Sequence, residues 1–443
     1  MLTSFASSAR RCFVACAALL GFALVLGAPF ALAQGKAGSA GQAKAATSAE
    51  VKPKIRAITA FINLDRATYR QQIADALTML KRARVTFESR GYEVQTIRIA
   101  TQPFPEYTKG LTVEQAVAFF KDYDALAAKE KFAASIGPAM LNPGDPEAQA
   151  DLLAEILRNT KTLNGSLVVA GEDGVRWNAV GAAARVVKAL EDTEHSQGNF
   201  RFSAIAMVKP LTPFFPAAYH TGFGHQFGVA LESANVVAAA FKGAANLDAA
   251  RQRLSDSLGA AALDIERHAG RIDAETGWAY VGMDLSPAPL KDVSIGAAVE
   301  NLTTQPVGSS GTLTAAATIT SAIKEIKVKQ TGYSGLMLPI LEDSLLSQRW
   351  SEGRLSIDAL LSYSAVCGTG LDTIPLPGDI SAEQISLIIG DMASLAFKWR
   401  KPLAARLLPV AGMSAGDTTA FDDPFLVNAV LQPLPGAGSG SHP

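Results

Sequence analysis

Cysteine is nearly missing from this chain. Three in 443 residues are too few for a disulfide framework to hold the fold together. A basic excess is missing as well. Lys and Arg number 40 against 41 Asp and Glu, a formal net charge of -1, which argues against a nucleic-acid binder. Charge is sparse at 18%, and hydrophobic residues reach 48%, so the chain is too apolar for disorder and long enough to bury a large core. Long linkers and fixed-period repeats are also lacking, which favours one large domain over two.

What is present begins with an address. Arg10 and Arg11 precede an uncharged run from Cys12 to Ala33, and Ala31-Leu32-Ala33 forms a small-x-small cleavage site before Gln34. Residues 1–33 therefore read as a signal peptide, and the protein is expected in the periplasm or secreted. A membrane anchor is the alternative, but Gly21, Gly27 and Pro29 interrupt the run. Arg10-Arg11 also fits a twin-arginine route. Cleavage leaves Cys367 as the sole cysteine and no further candidate span, so no stable membrane span is expected afterwards. Residues 34–50 read as a flexible leader, 51–432 as one α/β-barrel domain and 433–443 as a flexible tail.

Strand and helix signals alternate through the core. Ile55 to Asn63 reads as a strand. Asp65 is placed to cap a helix with Tyr69, Ile73, Leu77, Leu80 and Phe87 on one face. Thr112…Gln115 and Ser381…Gln384 are capping boxes. Asp145-Pro146 marks a further helix start. Strands are expected at 94–100, 132–136, 166–170, 202–208, 279–283 and 403–410, with helices between them. More than six such units in one domain imply parallel strands covered by helices, as a closed barrel or a wide open sheet. Functional groups in such folds gather where strands end.

Cys367 to Asp379 is the densest segment, with glycines, prolines, two carboxylates and a lone thiol. It reads either as a catalytic loop with Cys367 as nucleophile and Asp372 orienting its neighbours, or as a structural loop around an inert thiol. Asp284, at the expected end of a strand and followed by Ser286, suits acid–base work, a metal or a turn cap. His220 and His225, five apart among glycines, suit a general base or a metal pair, or else a turn with one buried and one exposed imidazole. Ser309 and Thr312, at a helix start, suit an anion or an ordinary cap. Ser334 resembles a nucleophile elbow without its full spacing. Glu342 follows closely, and Lys401 and Arg406 are the basic candidates near the last strand. No cofactor is assigned. If a metal is bound, the carboxylates suit Ca²⁺ or Mg²⁺, with Asp284, Asp372 and Glu342 as ligands.

These segments, in order, resemble one family: the bacterial and archaeal domain of unknown function seven-one-one. The likeness runs from about Lys54 to Leu434. It is carried by Lys54-Ile55-Arg56-Ala57-Ile58-Thr59, Gly137-Pro138-Ala139, Ala218-Tyr219-His220, Asp284 to Pro289, Gly332 to Pro339 with Glu342-Asp343, and Ala365-Val366-Cys367 through Asp372. The resemblance implies a single β/α barrel similar to the ten-stranded barrel of pyruvate formate-lyase and ribonucleotide reductase. It also implies a loop threaded into that barrel, for which Cys367 is the cysteine available. The chain lacks an Arg-Val-x-Gly-Tyr-like radical loop near its C-terminus, so glycyl-radical chemistry does not follow.

Two functions are expected on this basis. One is an exported enzyme acting on a small polar metabolite at the barrel mouth, with Cys367, His220, Asp284 and Asp372 as the reacting groups and Ser286, Ser309, Thr312, Ser334 and Lys401 binding the ligand. The other is a non-catalytic periplasmic protein that binds a small ligand or ion. The expected partner is a small molecule, with no nucleic acid; a homo-oligomer is compatible with either.

Overall fold

A computed structural model describes residues 51–434. Ten strands follow one another along the chain: β1 (Lys54–Ile62), β2 (Val94–Thr101), β3 (Ala133–Ala139), β4 (Leu163–Gly171), β5 (Gly174–Val175), β6 (Phe202–Ala206), β7 (Gln226–Glu232), β8 (Ala279–Ala288), β9 (Gly370–Pro377) and β10 (Leu403–Val410). They form one mostly parallel sheet in the order β8-β7-β1-β2-β3-β4-β6-β10-β9, with β5 pairing β4 at the side.

Two antiparallel seams divide this sheet. β1, β2, β3, β4 and β6 run together, while β7 and β10 pair antiparallel with β1 and β6. β8 and β9 then continue parallel to β7 and β10. The two outermost strands are both touched by the chain around residues 330–339. Gln330 bridges Met283 of β8, and Pro339 bridges Asp372 of β9.

Helices cover one face. The helix Tyr69–Glu88 packs on β1 and β2, and it buries Tyr69, Ile73, Leu77, Leu80 and Phe87 at the 3.6-residue spacing. Each fully buried Leu or Phe there contributes about 1.5–3 kcal/mol. Both expected capping boxes form, at Thr112–Gln115 and Ser381–Gln384. The helix Ala382–Trp399 packs on the helix Trp177–Leu190 and on β4, β6 and β10. The strands are buried on both sides and read as continuous apolar runs, as a covered parallel sheet requires.

Several expectations need correction. Asp65 does not cap the helix; Thr68 stands at its N-cap, and Asp65 Oδ1 instead accepts from Ala67 N in the preceding turn. The helix after Asp145-Pro146 begins at Ala148. β7 was not foreseen, because Phe227-Gly228-Val229-Ala230-Leu231 is too short an apolar run to separate strand from helix by period. The segment 370–377 is a strand rather than a loop. Its prolines are tolerated because β9 is an edge strand, paired with β10 through a register shift and holding an isolated bridge to Pro339 on its other side.

Candidate functional site

Strand side chains alternate between the two faces, so residues two apart share one. Thr96 and Arg98 on β2, Ala404 and Arg406 on β10, Arg56 on β1, Ser203 on β6 and Asp372 on β9 all line one cavity of about 340 Å³. Phe200, Phe214, Phe215 and Tyr333 supply much of its apolar wall, and Asp423 and Phe425 reach it from the C-terminal segment.

A buried ion network forms part of the wall. Arg56 Nη2 lies 3.0 Å from Glu342 Oε2, and Arg56 Nη1 donates to Gln95 Oε1 at 3.1 Å. Gln95 in turn donates to Glu232 at 2.6 Å, with Arg56 Nη1 3.5 Å from the same Glu232 oxygen. Arg406 pairs with Glu342 and donates from Nε to Asp372 Oδ1 at 2.7 Å. Glu342 thus joins the two arginines. A phenylalanine ring lies against each strand arginine: Phe425 on Arg56, Phe215 on Arg98 and Phe200 on Arg406, at 4.8–4.9 Å.

Burial shapes the charges. It pushes Glu232 and Asp372 above the ordinary carboxylate range, although Gln95 and Arg56 oppose it at Glu232, and Arg406 at Asp372. Burial also raises Asp423, which has no ion pair among the described residues. Burial lowers Arg406, but Asp372 and Glu342 outweigh it and hold the guanidinium charged. Arg98 is pushed down to about 9 by burial and by Arg56.

The other nominated residues lie elsewhere. Asp284 is in the middle of β8, not at its end, and is fully buried. Its carboxylate accepts from Ser286 N and Oγ, Tyr333 N and Ser334 N at 2.6–3.0 Å, so it pins the 332–334 turn to the sheet. Ser286 Oγ also accepts from Gly335 N, and Ser334 Oγ donates to Thr331 O. Cys367 is 2% exposed and burial raises its thiol; it does not line the cavity. Lys401 Nζ is occupied by the carbonyls of Ser364, Ala365 and Cys367. His220 Nε2 meets Gln226 Oε1 at 2.7 Å, and its Nδ1 is buried without a partner. His225 is exposed and stacks on Trp278. Ser309 belongs to the turn before the helix Thr312–Glu325, and Thr312 Oγ1 accepts from Gly308 N within that turn.

Glu342 and Asp372 therefore share one site, while Asp284 does not join them. Of the three carboxylates named for a metal, Asp284 spends its oxygens on four donors, and Arg406 sits against the other two. Among the described residues no three His, Cys, Asp or Glu side chains gather as a metal site. Arg98, Ser203, Glu232, Tyr333 and Asp423 were missed. A usable signal existed for the strand arginines: in β1, β2 and β10 one arginine stands directly between two apolar residues.

A second cavity of about 570 Å³ lies among Lys209, Lys324, Arg400 and the 330–334 turn, and Tyr333 lines both cavities. Among the described residues no helix is long and apolar enough to cross a membrane.

Comparison with known sequences places these features in context. The family described as Uncharacterised ACR (DUF711) matches residues 48–423. A UPF0210 protein of Pyrobaculum islandicum is 33% identical over 396 residues, covering 82% of this chain and 86% of that protein. UPF0210 proteins of Lactiplantibacillus plantarum and Oenococcus oeni are 28% and 29% identical, covering 85% and 71% of this chain and 90% and 75% of their own lengths.

Proposed function

We propose the following for this chain, which belongs to the DUF711 family: it is an exported enzyme that acts on a small polar metabolite held in the interior cavity, without glycyl-radical chemistry. The observation that carries this reading is the buried Arg56–Glu342–Arg406–Asp372 network on the wall of a ligand-sized cavity. Buried ion pairs are a poor device for stability alone, since apolar residues of similar volume often do as well or better. Clustered buried charges facing a cavity suit a site where charge must be met or moved. Asp372 and Asp423 are the acid–base groups on this reading, because both face the cavity with proton affinities raised by burial.

The sheet belongs, on this reading, to a barrel like that of pyruvate formate-lyase. The 330–339 chain, which bridges β8 and β9, is the part that fills the gap and carries Tyr333 and Met337 to the cavity. That role was expected of Cys367. Export rests on residues 1–33, which lie outside the described residues.

Incubating the mature protein with a bacterial extract of small metabolites, followed by mass spectrometry of the mixture and of the protein, tests the function. Loss of one metabolite with appearance of a product is expected. Retention of an unchanged metabolite would favour the binding-protein alternative, which the pairing of Asp372 with Arg406 supports. Neither turnover nor retention would overturn both.

A further inference from the structure

Of the three strand arginines that face the cavity, two are neutralised. Arg56 has Glu342 and Glu232, and Arg406 has Glu342 and Asp372. Arg98 has no carboxylate in ion-pair distance among the described residues. Its Nε donates to Thr96 Oγ1 at 3.0 Å, Phe215 lies against the guanidinium, and Nη1 and Nη2 donate to nothing described. Two further groups on the same wall are unsatisfied. Ser203 is 1% exposed and Thr369 is 4% exposed, and neither hydroxyl has a hydrogen-bond partner. A buried polar group left unpaired costs about 1–3 kcal/mol; Ser203 and Thr369 are two such groups, and with the half-buried Arg98 guanidinium on the same wall they point to a ligand that completes them.

We infer that the cavity binds a small monocarboxylate bearing a hydroxyl or carbonyl group. Its carboxylate lies on the Arg98 guanidinium, and its second polar group meets the hydroxyls of Thr369 and Ser203. The inference deepens the proposed function and rests on its reading of the cavity as the metabolite chamber.

The chemistry selects this class. A guanidinium presents paired donors in a plane that matches a carboxylate, and one unpaired guanidinium meets one such group. Glu342 and Asp372 on the same wall are spent on Arg56 and Arg406, Asp423 has no ion pair among the described residues and repels a second negative charge, and Lys161, the other unpaired cation of the lining, is exposed. A phosphate ester, with more than one charge near neutrality, therefore fits worse. The volume of about 340 Å³ and the phenylalanine walls suit a short organic acid rather than a nucleotide or a peptide. The electrostatics agree. Burial first, then the like charges of Arg56 and Arg406, push the proton affinity of Arg98 down against the opposing pull of Glu342, and a bound anion works with Glu342.

The test uses the mature protein and named probes: lactate and 3-hydroxybutyrate as sodium salts, their neutral amides, and inorganic phosphate. Binding is read by calorimetric titration and by the shift in Tm. At least one carboxylate is expected to bind, its amide to bind on the order of ten- to a hundredfold more weakly, and phosphate more weakly than the carboxylate. Arg98→Met should lose the carboxylate to the level of the amide, Arg98→Lys should fall between, and Thr369→Val should weaken both acid and amide. Equal binding of acid and amide, no binding of either carboxylate, or tighter binding of phosphate overturns the inference; the first comparison needs no variant to fold. Ala404→Leu, which narrows the cavity, separates this failure from that of the chamber reading. If Ala404→Leu abolishes metabolite retention while Arg98→Met leaves it intact, the chamber stands and the carboxylate assignment falls. If neither variant changes retention, the chamber reading falls too.

Discussion

A Cβ placed on Gly332 would lie 2.1 Å from Asp284 Oδ2, at a backbone φ of +66°. The two residues fix each other. The glycine lets the chain turn against the carboxylate, and the carboxylate accepts the amides of Tyr333 and Ser334 just beyond. Gly332→Ala is expected to cost about 3 kcal/mol or more, combining the steric clash with left-handed strain. Asp284→Asn turns one acceptor oxygen into an NH₂ facing donors and should cost about 2 kcal/mol. Urea denaturation of both variants measures this; wild-type midpoints would mean the clamp contributes nothing.

Cys367 is buried beside Ser364, with its thiol pushed up by burial. A thiol of this kind should stay silent to a disulfide reagent at neutral pH until the protein unfolds. Cys367→Ser buries a hydroxyl whose polar neighbours are Ser364 and the backbone of Thr369 and Gly370, and should lower stability by about 1 kcal/mol. Fast labelling of the native protein would return Cys367 to the list of reacting groups.

Arg406→Met removes the cation between Glu342 and Asp372 and leaves buried carboxylates facing one another. The expected loss at neutral pH is about 3–5 kcal/mol. The deficit should shrink on acidification, because protonation discharges the orphaned carboxylates, starting with Asp372, whose pKa is already raised by burial. A deficit that is the same at neutral and acid pH would contradict the network as described.

Burial lowers the pKa of both His220 and His268, whose Nδ1 atoms have no partner. The unfolded chain binds these protons more readily than the folded one. Their stabilising contribution is therefore complete above the ordinary value near ~6.5 and is lost as pH falls from there through the lowered folded values. Replacing both by Gln should flatten the fall in unfolding free energy between about pH 7.5 and pH 5.5. An unchanged slope would assign the acid sensitivity to other groups.

Fusing residues 1–34 to a reporter should carry it out of the cytoplasm, with the mature protein beginning at or near Gln34. N-terminal sequencing checks the cleavage. Replacing Arg10 and Arg11 by Lys should stop export only if the twin-arginine route is used.

The helices were legible because their signals are local. Thr112 with Gln115, Ser381 with Gln384, and the Tyr69-to-Phe87 stripe lie within a few turns of themselves. The site was not legible in that way. Cys367 drew notice through its glycines, yet those glycines serve close backbone packing: a Cβ on Gly368 would meet Gly335 at 2.7 Å. Asp284 looked like the end of a strand because Ser286 and Pro287 follow, but β8 continues to Ala288.

The sequence by itself determined the alternation of strand and helix, the family likeness and the residue types available, since hydrophobic period and end caps are properties of neighbours along the chain. Only the tertiary structure decided which charges meet. Arg56, Glu342, Asp372 and Arg406 span 350 residues of chain, yet three arginine–carboxylate contacts link them on one wall. Strand order places β1 far from β9 along the ladder, and the Ile340–Glu342 turn carries the carboxylate that joins Arg56 to Arg406. The same arrangement leaves Arg98 with no carboxylate in ion-pair distance among the described residues. Ion pairing depends on distance in space, and no local pattern in the sequence encodes it.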